Sequence, residues 1–252
     1  PRIRDELRYS SRNDLMMNTM RDTLTIRNNI SQEALPMRRI GSFLPGEGVG
    51  GAGAHWNGVT WRWNDTEFKI RSRYEERYGK KFIPDDMTIQ DWGITYDELE
   101  PYYDKFDKMC GVAGKAGNIK GQKIDGGNFF EGPRQNEYPT PALKPSAGAV
   151  MMAQACKSLG YHPFPAPFGA ASQPYVNLYG IQLGACEYCG FCGRNSCEAN
   201  AKASATTHVM PALRNEAKYE LRTRAFVTKL IYDRQGKKVT GVLYTDMKTG
   251  EE

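Results

Sequence analysis

The sequence predicts a mixed fold of the α/β or α+β class, with helices along most of the chain and paired strands near its end. Thr95-Tyr96-Asp97-Glu98 matches a capping box, in which the Thr and Glu side chains bind backbone amides at a helix start. Residues 226–232 and 239–245 are rich in β-branched and aromatic side chains, and Asp233-Arg234-Gln235-Gly236 between them favours a turn. These features predict a well-defined helix in the middle of the chain and a hairpin near its end.

The remaining elements follow from hydrophobic periodicity and from stop signals. A stripe formed by Leu15, Met16, Met20 and Leu24 predicts a helix over 14–28. Further expected helices cover 64–82, 95–110, 146–160 and 206–217, and a further strand covers 221–223. The stretch 111–145 lacks periodicity and predicts a long loop over a site, whereas prolines keep 161–167 extended.

Composition narrows the class of protein. The chain has 252 residues, 40% of them hydrophobic, and a net charge of +5. No apolar run reaches membrane-spanning length. Nucleic acid binding needs basic residues clustered with stacking aromatics, and here the tryptophans lie beside glycines instead. A mild positive charge is compatible with an acidic sugar as substrate.

A glycine-rich segment, residues 46–63, carries the strongest functional signal. Five glycines fall within the eight residues 46–53, and three of the four tryptophans follow at positions 56, 61 and 63. Bare backbone beside large flat side chains suits a planar cofactor. Gly46, Gly48 and Gly51 also spell a dinucleotide fingerprint, but neither a buried strand nor a helix start flanks them. A plain glycine-rich surface loop is a further alternative, and it would leave His55 and the tryptophans unexplained.

This segment resembles the glucose–methanol–choline (GMC) oxidoreductases. Gly50-Gly51 followed by Asn57-Gly58-Val59-Thr60-Trp61 is similar to their second flavin-contacting motif, and Ala54-His55-Trp56 is similar to the pyranose oxidase branch, whose histidine carries the flavin covalently. The resemblance implies an FAD cofactor, attached to or touching His55. It also implies backbone contact between Val227 and the adenine half. The implied FAD contacts are Gly50, Gly51, Gly53, His55, Trp56, Asn57, Gly58, Thr60 and Val227.

Four crowded cysteines form the second signal. They are spaced Cys186-x2-Cys189-x2-Cys192-x4-Cys197. This run is close to the ferredoxin ligand pattern but has one extra residue and no proline, so an iron–sulfur cluster is the leading hypothesis. Zinc sites usually separate two cysteine pairs by a longer gap, and a disulfide pair is a third alternative.

The cysteine segment again resembles GMC proteins, closest to the flavoprotein subunits of membrane-bound gluconate 2-dehydrogenases. The similarity covers Cys189-Gly190-Phe191-Cys192, Cys197 and Ala201-Lys202-Ala203-Ser204. Related sugar dehydrogenases hold a three-iron cluster on three cysteines, which implies a 3Fe–4S cluster on Cys192, Cys197 and one of the other two. Cys110 and Cys156 lie in helical stripes and are expected to be buried small hydrophobes. His162 and His208 are expected to be structural.

The resemblance implies a fold and a function for the whole. The fold would combine part of a GMC-type FAD-binding domain with part of an antiparallel-sheet substrate domain, divided into segments 1–145, 146–205 and 206–252. We expect a central fragment of a dehydrogenase that oxidises a sugar or sugar acid, with no match to the family's catalytic base. Electrons would pass to a haem c subunit of a complex with a small subunit, peripheral on the periplasmic side of the inner membrane. The alternatives are a non-catalytic iron–sulfur electron-transfer module and a related oxidase or dehydrogenase that acts on another polyol.

Overall fold

The computed structural model describes residues 24–27, 31–37, 45–46, 48–193 and 195–252. The chain divides into two compact units, and the boundary lies between Ala212 and Leu213. The helices, in chain order, are α1 Asp65–Phe68, α2 Ile70–Tyr78, α3 Tyr96–Cys110, α4 Ala147–Ser158, α5 Ala205–His208 and α6 Met210–Leu213. The strands are β1 Leu24–Ile26, β2 Leu35–Met37, β3 Ala113–Gly114, β4 Asn118–Ile119, β5 Gln122–Lys123, β6 Thr140–Pro141, β7 Tyr175–Val176, β8 Gln182–Leu183, β9 Ala225–Asp233 and β10 Lys238–Asp246.

The capping box that starts α3 is confirmed. The Glu98 amide donates to Thr95 Oγ1 at 3.2 Å, and the Thr95 amide donates to Glu98 Oε2 at 2.7 Å. Gly111 ends the helix in the left-handed region at φ 61°, which glycine adopts without a Cβ clash. The local sequence therefore determines both ends of α3.

Two other predicted helices are confirmed with changes. The predicted helix 64–82 forms as α1 and α2, separated at Lys69, and α2 stops at Gly79. The helix predicted over 146–160 forms as α4, whose Ala149 amide donates to the Ser146 hydroxyl at 3.2 Å. The segment 161–167 is free of helix, as its prolines predict.

Three sequence predictions are wrong in part. Of the predicted helix 14–28, residues 14–23 and 28 lie outside the described residues, and Leu24–Ile26 is a strand that pairs with β2. The predicted strand 221–223 does not form, and Arg222 pairs there with the Glu220 carboxylate at 2.6 Å. The predicted helix 206–217 divides into α5 and α6 and ends at Leu213, because Pro211 cannot donate an intrahelical hydrogen bond.

The core of the first unit lies behind α3. Val112, Ala113 and Ala116 are fully buried, and β3 pairs in parallel with β6. The aperiodic stretch after Gly111 thus supplies core side chains as well as irregular chain. A role of this stretch as a cover over a site stays a prediction, as does the three-segment division of the chain.

Buried charges connect the glycine-rich segment to this core. The arginine–carboxylate network consists of Arg62, Glu100, Asp107 and Arg134. Asp107 Oδ2 accepts from Arg62 at 2.6 Å and from Arg134 at 2.8 Å, and Arg62 also pairs with Glu100 at 3.0 Å. Burial raises the pKa of the Asp107 carboxyl, and the two guanidinium groups oppose that rise. The network fixes the chain that leaves the glycine-rich segment against α3.

The second unit contains the predicted hairpin. β9 and β10 pair antiparallel, with Lys238 opposite Asp233 beside the turn. Phe226, Leu230 and Tyr232 of β9 are more than half exposed. No helix in the described part of the chain is long and apolar enough to span a bilayer.

Candidate functional site

The glycine-rich segment folds into a tight turn. Residues Gly51–Ala54 form one turn of 3-10 helix, which Gly50 precedes at φ 94°. A Cβ on Gly50 would lie 3.0 Å from Thr206 Cγ2 at the start of α5, so the glycine permits close packing between the two segments. A short 3-10 turn stands where a dinucleotide fingerprint would open a long helix, which argues against that alternative.

His55 ends this turn with its side chain inside the protein. The residue is 5% exposed, and its Nε2 atom has no hydrogen-bond partner among the described residues. Burial lowers the pKa of His55, and the nearby Lys202 ammonium lowers it further. The imidazole is therefore neutral at neutral pH. A buried nitrogen without a partner is unusual in a folded protein, and it offers a lone pair or an N–H to a bound group.

The residues after His55 are held by long-range hydrogen bonds. Trp56 Nε1 donates to the Ala203 carbonyl at 2.6 Å, and the Thr60 amide donates to the Pro167 carbonyl at 3.1 Å. Gly58 has φ 92°, and a Cβ there would lie 2.7 Å from the Phe168 ring. This part of the segment is consequently a rigid wall rather than a mobile loop.

The other predicted contact residues of this segment differ in whether their polar atoms or the space beside them are available to a ligand. They are Gly51, Gly53, Asn57 and Thr60. Gly51 donates its amide to the Gly48 carbonyl at 2.9 Å within the turn, and a Cβ on Gly53 would meet only open space. Asn57 is exposed and accepts the Val59 amide at 3.2 Å on its Oδ1 atom. The Thr60 hydroxyl is buried without a hydrogen-bond partner among the described residues. Gly53 and Asn57 therefore leave room for a ligand, and Thr60 holds an unused polar atom.

An apolar cavity of about 290 Å³ adjoins the turn. Gly53 and Trp56 form one side, Phe106 and Met109 of α3 form another, and His208 lies at the end of α5. Of its surface, nearly all is carbon. A flat, largely apolar group of small-molecule size matches this lining.

His208 is a site residue that the sequence did not identify. It is 1% exposed, its Nδ1 lies 2.7 Å from Thr207 Oγ1, and its Nε2 has no hydrogen-bond partner among the described residues. Burial lowers the pKa of His208 to about 4. The signal in the sequence was slight, since a histidine after two threonines at a helix start is equally compatible with a structural role.

The four clustered cysteines are all free thiols and half-buried. Burial raises the pKa of the Cys192 thiol, and the other three cysteines of the run raise it further, so the four lie within electrostatic range of one another. In the part of the chain that the structure describes, no three His, Cys, Asp or Glu side chains form a group able to hold a metal ion. The donors suit a soft metal centre, but they are not assembled into a ligand set.

The remaining cysteines divide as follows. Cys110 is 2% exposed at the end of α3, and burial raises the pKa of its thiol to about 12. The prediction of a buried, inert thiol is confirmed for Cys110. Cys156 is only partly buried in α4, so the same prediction is wrong for its burial because that face of α4 is exposed.

Lys202 joins the cysteine run to the glycine-rich segment. Its Nζ atom donates to the carbonyl oxygens of Trp56, Cys192 and Asn195. The side chain is buried, and the residue is 3% exposed. The two sequence signals are thus neighbours in the first unit. Val227, by contrast, belongs to the second unit, where it lies in β9 opposite Tyr244.

Comparison with known proteins gives a consistent set of relatives. A family model described as GMC oxidoreductase matches residues 86–252. The chain is 46% identical over 249 residues to a gluconate 2-dehydrogenase flavoprotein of Pantoea cypripedii, covering 98% of this chain and 40% of that protein. It is 30% identical over 129 residues to the fructose dehydrogenase large subunit of Gluconobacter japonicus, covering 51% of this chain and 20% of that protein. A 6'''-hydroxyparomomycin C oxidase of Streptomyces lividus is 26% identical over 203 residues, covering 81% and 32%. The chain thus spans less than half the length of each relative.

Proposed function

The chain belongs to the GMC oxidoreductase family, and on that premise we propose that it is the flavin-contacting and cysteine-bearing part of an FAD-dependent dehydrogenase. The substrate is the CH–OH group of a sugar or sugar acid. The observation that carries this proposal is the apolar cavity against Gly53 and Trp56, two residues that flank the buried, neutral His55, whose Nε2 atom has no hydrogen-bond partner among the described residues. The names of the gluconate and fructose dehydrogenase relatives support the substrate class.

The residues present fit a flavin. Gly50 and Gly51 shape the turn that presents Gly53. Gly53, which has open space beside it, would bring bare backbone against the cofactor, and together with Trp56 it forms one side of a cavity of nearly pure carbon. His55 Nε2 and the Thr60 hydroxyl are buried polar atoms without partners among the described residues, which a polar or reactive edge of the cofactor would satisfy. When bound, FAD supplies a two-electron acceptor for the hydride of the carbinol carbon.

The chain's own residues would bind and orient this cofactor. Trp56 is fixed by its bond to the Ala203 carbonyl, and Gly58 is packed against Phe168, so the wall does not have to reorganise on binding. The low pKa of His55 keeps its imidazole unprotonated. A neutral imidazole is a nucleophile, so His55 is suited to covalent attachment as well as to contact.

For the cysteine run we propose an iron–sulfur centre, of the three-iron type, on three of Cys186, Cys189, Cys192 and Cys197. Support comes from the spacing and from the mutual electrostatic influence of the thiols. Such a centre takes one electron at a time from a two-electron donor. The ligands would come together only with the metal, as happens in other sites whose folding is coupled to binding.

The partners and the location are likewise proposed. The term large subunit in the name of the fructose dehydrogenase relative indicates further subunits in that protein. We propose a haem c subunit and a small subunit as partners of this chain. The complex would lie at the periplasmic face of the inner membrane, held there through its partners.

Acid precipitation of the purified protein tests the flavin site. We expect a yellow pellet from the wild type and a colourless pellet, with flavin in the supernatant, from His55→Ala. His162→Ala is the matched control, because His162 is exposed and its ring lies 5.6 Å from the Phe129 ring, outside the glycine-rich segment. A pellet that stays yellow in His55→Ala would locate the attachment elsewhere.

The same samples separate the enzyme from a non-catalytic iron–sulfur module. We expect flavin, iron and acid-labile sulfide together in the wild type. Iron and sulfide without any flavin would support the module. Flavin without iron would support the dehydrogenase and refute the proposed iron–sulfur cluster.

A further inference from the structure

Lys202 is a buried cation between the two functional segments. Its Nζ atom lies 2.9 Å from the Cys192 carbonyl oxygen and 2.6 Å from the Asn195 carbonyl oxygen, and it also donates to the Trp56 carbonyl. Three acceptors need three N–H donors, and only the protonated ammonium has three. The geometry therefore indicates a charged lysine inside the protein.

The backbone around Lys202 is fixed independently of its side chain. Lys202 forms a β-bridge with Ala170, and the Ala203 amide donates to the Gly169 carbonyl at 2.8 Å. The same short stretch receives the Trp56 indole N–H on the Ala203 carbonyl. The backbone at Lys202 is thus held by other hydrogen bonds, and its ammonium is available to bind the two neighbouring segments.

The bonds from Lys202 are among those that hold the cysteine loop, residues 186–200. Its described part contains neither helix nor strand. Cys186 is bonded at the loop's start through its amide to the Ala171 carbonyl at 2.9 Å. Further along, Lys202 Nζ binds the carbonyls of Cys192 and Asn195, on either side of the loop's tip.

We propose that Lys202 is a positioning residue that holds the cysteine loop at a set separation from the flavin-contacting turn and presents one positive charge to both. The proposal rests on the proposed function, in which the turn holds FAD and the loop holds the electron acceptor. Through-protein electron transfer depends steeply on separation, so a single ammonium that binds both segments would govern it.

The charge has a second consequence. A cation close to a redox centre stabilises its reduced, more negative form and raises its midpoint potential. The Lys202 ammonium donates to the carbonyl oxygens of Trp56 in the turn and of Cys192 in the loop, so its charge lies against both segments. A neutral residue of similar length in place of Lys202 would remove both the hydrogen bonds between the segments and the positive charge, whereas arginine would keep the positive charge.

The test uses three variants of the holoprotein. Lys202→Met removes the ammonium, Lys202→Arg keeps a positive charge, and Lys144→Met is the matched control because Lys144 is an exposed lysine near the loop. The rate of amide hydrogen exchange in peptides 52–58 and 186–200 measures how firmly the two segments are held. Redox titration of the flavin, and of iron where present, measures the effect of the positive charge on the midpoint potential.

We expect Lys202→Met to speed exchange about tenfold or more in both peptides, because charge-assisted hydrogen bonds are the strong class, and to lower the midpoint potential. Lys202→Arg should keep the potential near that of the wild type, and Lys144→Met should change neither reading. Unchanged exchange, or exchange that rises in only one peptide, would overturn the link. Equal potentials in Lys202→Met and Lys202→Arg would overturn the charge effect. If Lys202→Met does not fold, Lys202→Leu, which is also neutral and has no side-chain N–H donor, replaces it.

Failure of this inference is distinguishable from failure of the proposed function. A wild type without flavin or iron would refute the function, while hydrogen exchange would still decide whether Lys202 links the two segments. A wild type that binds flavin and shows no response to Lys202→Met would refute the inference alone.

Discussion

Removing the charge of Asp107 tests the arginine–carboxylate network. In Asp107→Asn, the Arg62 and Arg134 guanidinium groups keep their places but lose the carboxylate that lies 2.6 and 2.8 Å away. The side chains of Arg62 and Arg134 are 3% and 0% exposed, so water cannot replace the lost partner. Breaking a buried pair from one side costs about 3–5 kcal/mol.

The first unit covers residues 1–212, and for that size a loss of 1 kcal/mol lowers the unfolding midpoint by about 2–4 °C. The expected fall for Asp107→Asn is therefore about 6–20 °C, measured by calorimetry or near-UV circular dichroism. Arg62 keeps Glu100 at 3.0 Å, and Arg134 keeps the Asn136 carbonyl at 3.0 Å, which favours the lower half of that range.

Asp65→Asn is the matched control. Asp65 also bridges two basic side chains, Lys69 at 3.8 Å and Arg73 at 2.8 Å, but its own side chain is 46% exposed. Exposed pairs contribute only about 0.2–1 kcal/mol, so a small shift is expected. Equal shifts of the unfolding midpoint in Asp107→Asn and Asp65→Asn would refute this reasoning. They would show that burial does not determine how much the network contributes to stability.

Three further predictions follow from single sites. Thr95→Ala removes the acceptor of the Glu98 amide and should lower the free energy of unfolding by about 1 kcal/mol in urea titrations, whereas Thr66→Ala in α1, whose side chain caps no amide, should cost less. His208 has a pKa of about 4 in the folded chain and 6.5 in the unfolded chain, so the unfolded chain binds more protons between those pH values. The free energy of unfolding should therefore fall by about 3 kcal/mol as the pH is lowered from 6.5 towards 4. In His208→Asn this dependence of stability on pH should be weaker. On the proposed function, Cys192→Ser should leave reduction of the flavin by substrate intact in stopped flow while onward transfer to haem or quinone collapses, and joint loss of both half-reactions would mean a folding defect instead.

The local sequence determined the features that depend on neighbouring residues. The capping box of Thr95 and Glu98, the stop at Gly111 and the cap at Ser146 each use contacts within four residues. The β9–β10 hairpin likewise follows from a turn between two runs of strand-forming residues. The glycine-rich segment was identifiable as a candidate site because glycines, tryptophans and one histidine stand together in 46–63.

Other features were decided by tertiary contacts that sequence spacing does not encode. The strand Leu24–Ile26 exists because β2 pairs with it, although its residues also fit a helical stripe. The glycine-rich turn and the cysteine loop meet at Lys202, whose acceptors Trp56 and Cys192 lie 146 and 10 residues away. His208 lines the same cavity as Trp56 and Phe106 only because the fold brings three separate segments of the chain together. A long-range contact gains its free energy from burial and from paired polar groups in the folded state, so only the assembled structure shows which of the chemically suitable residues meet.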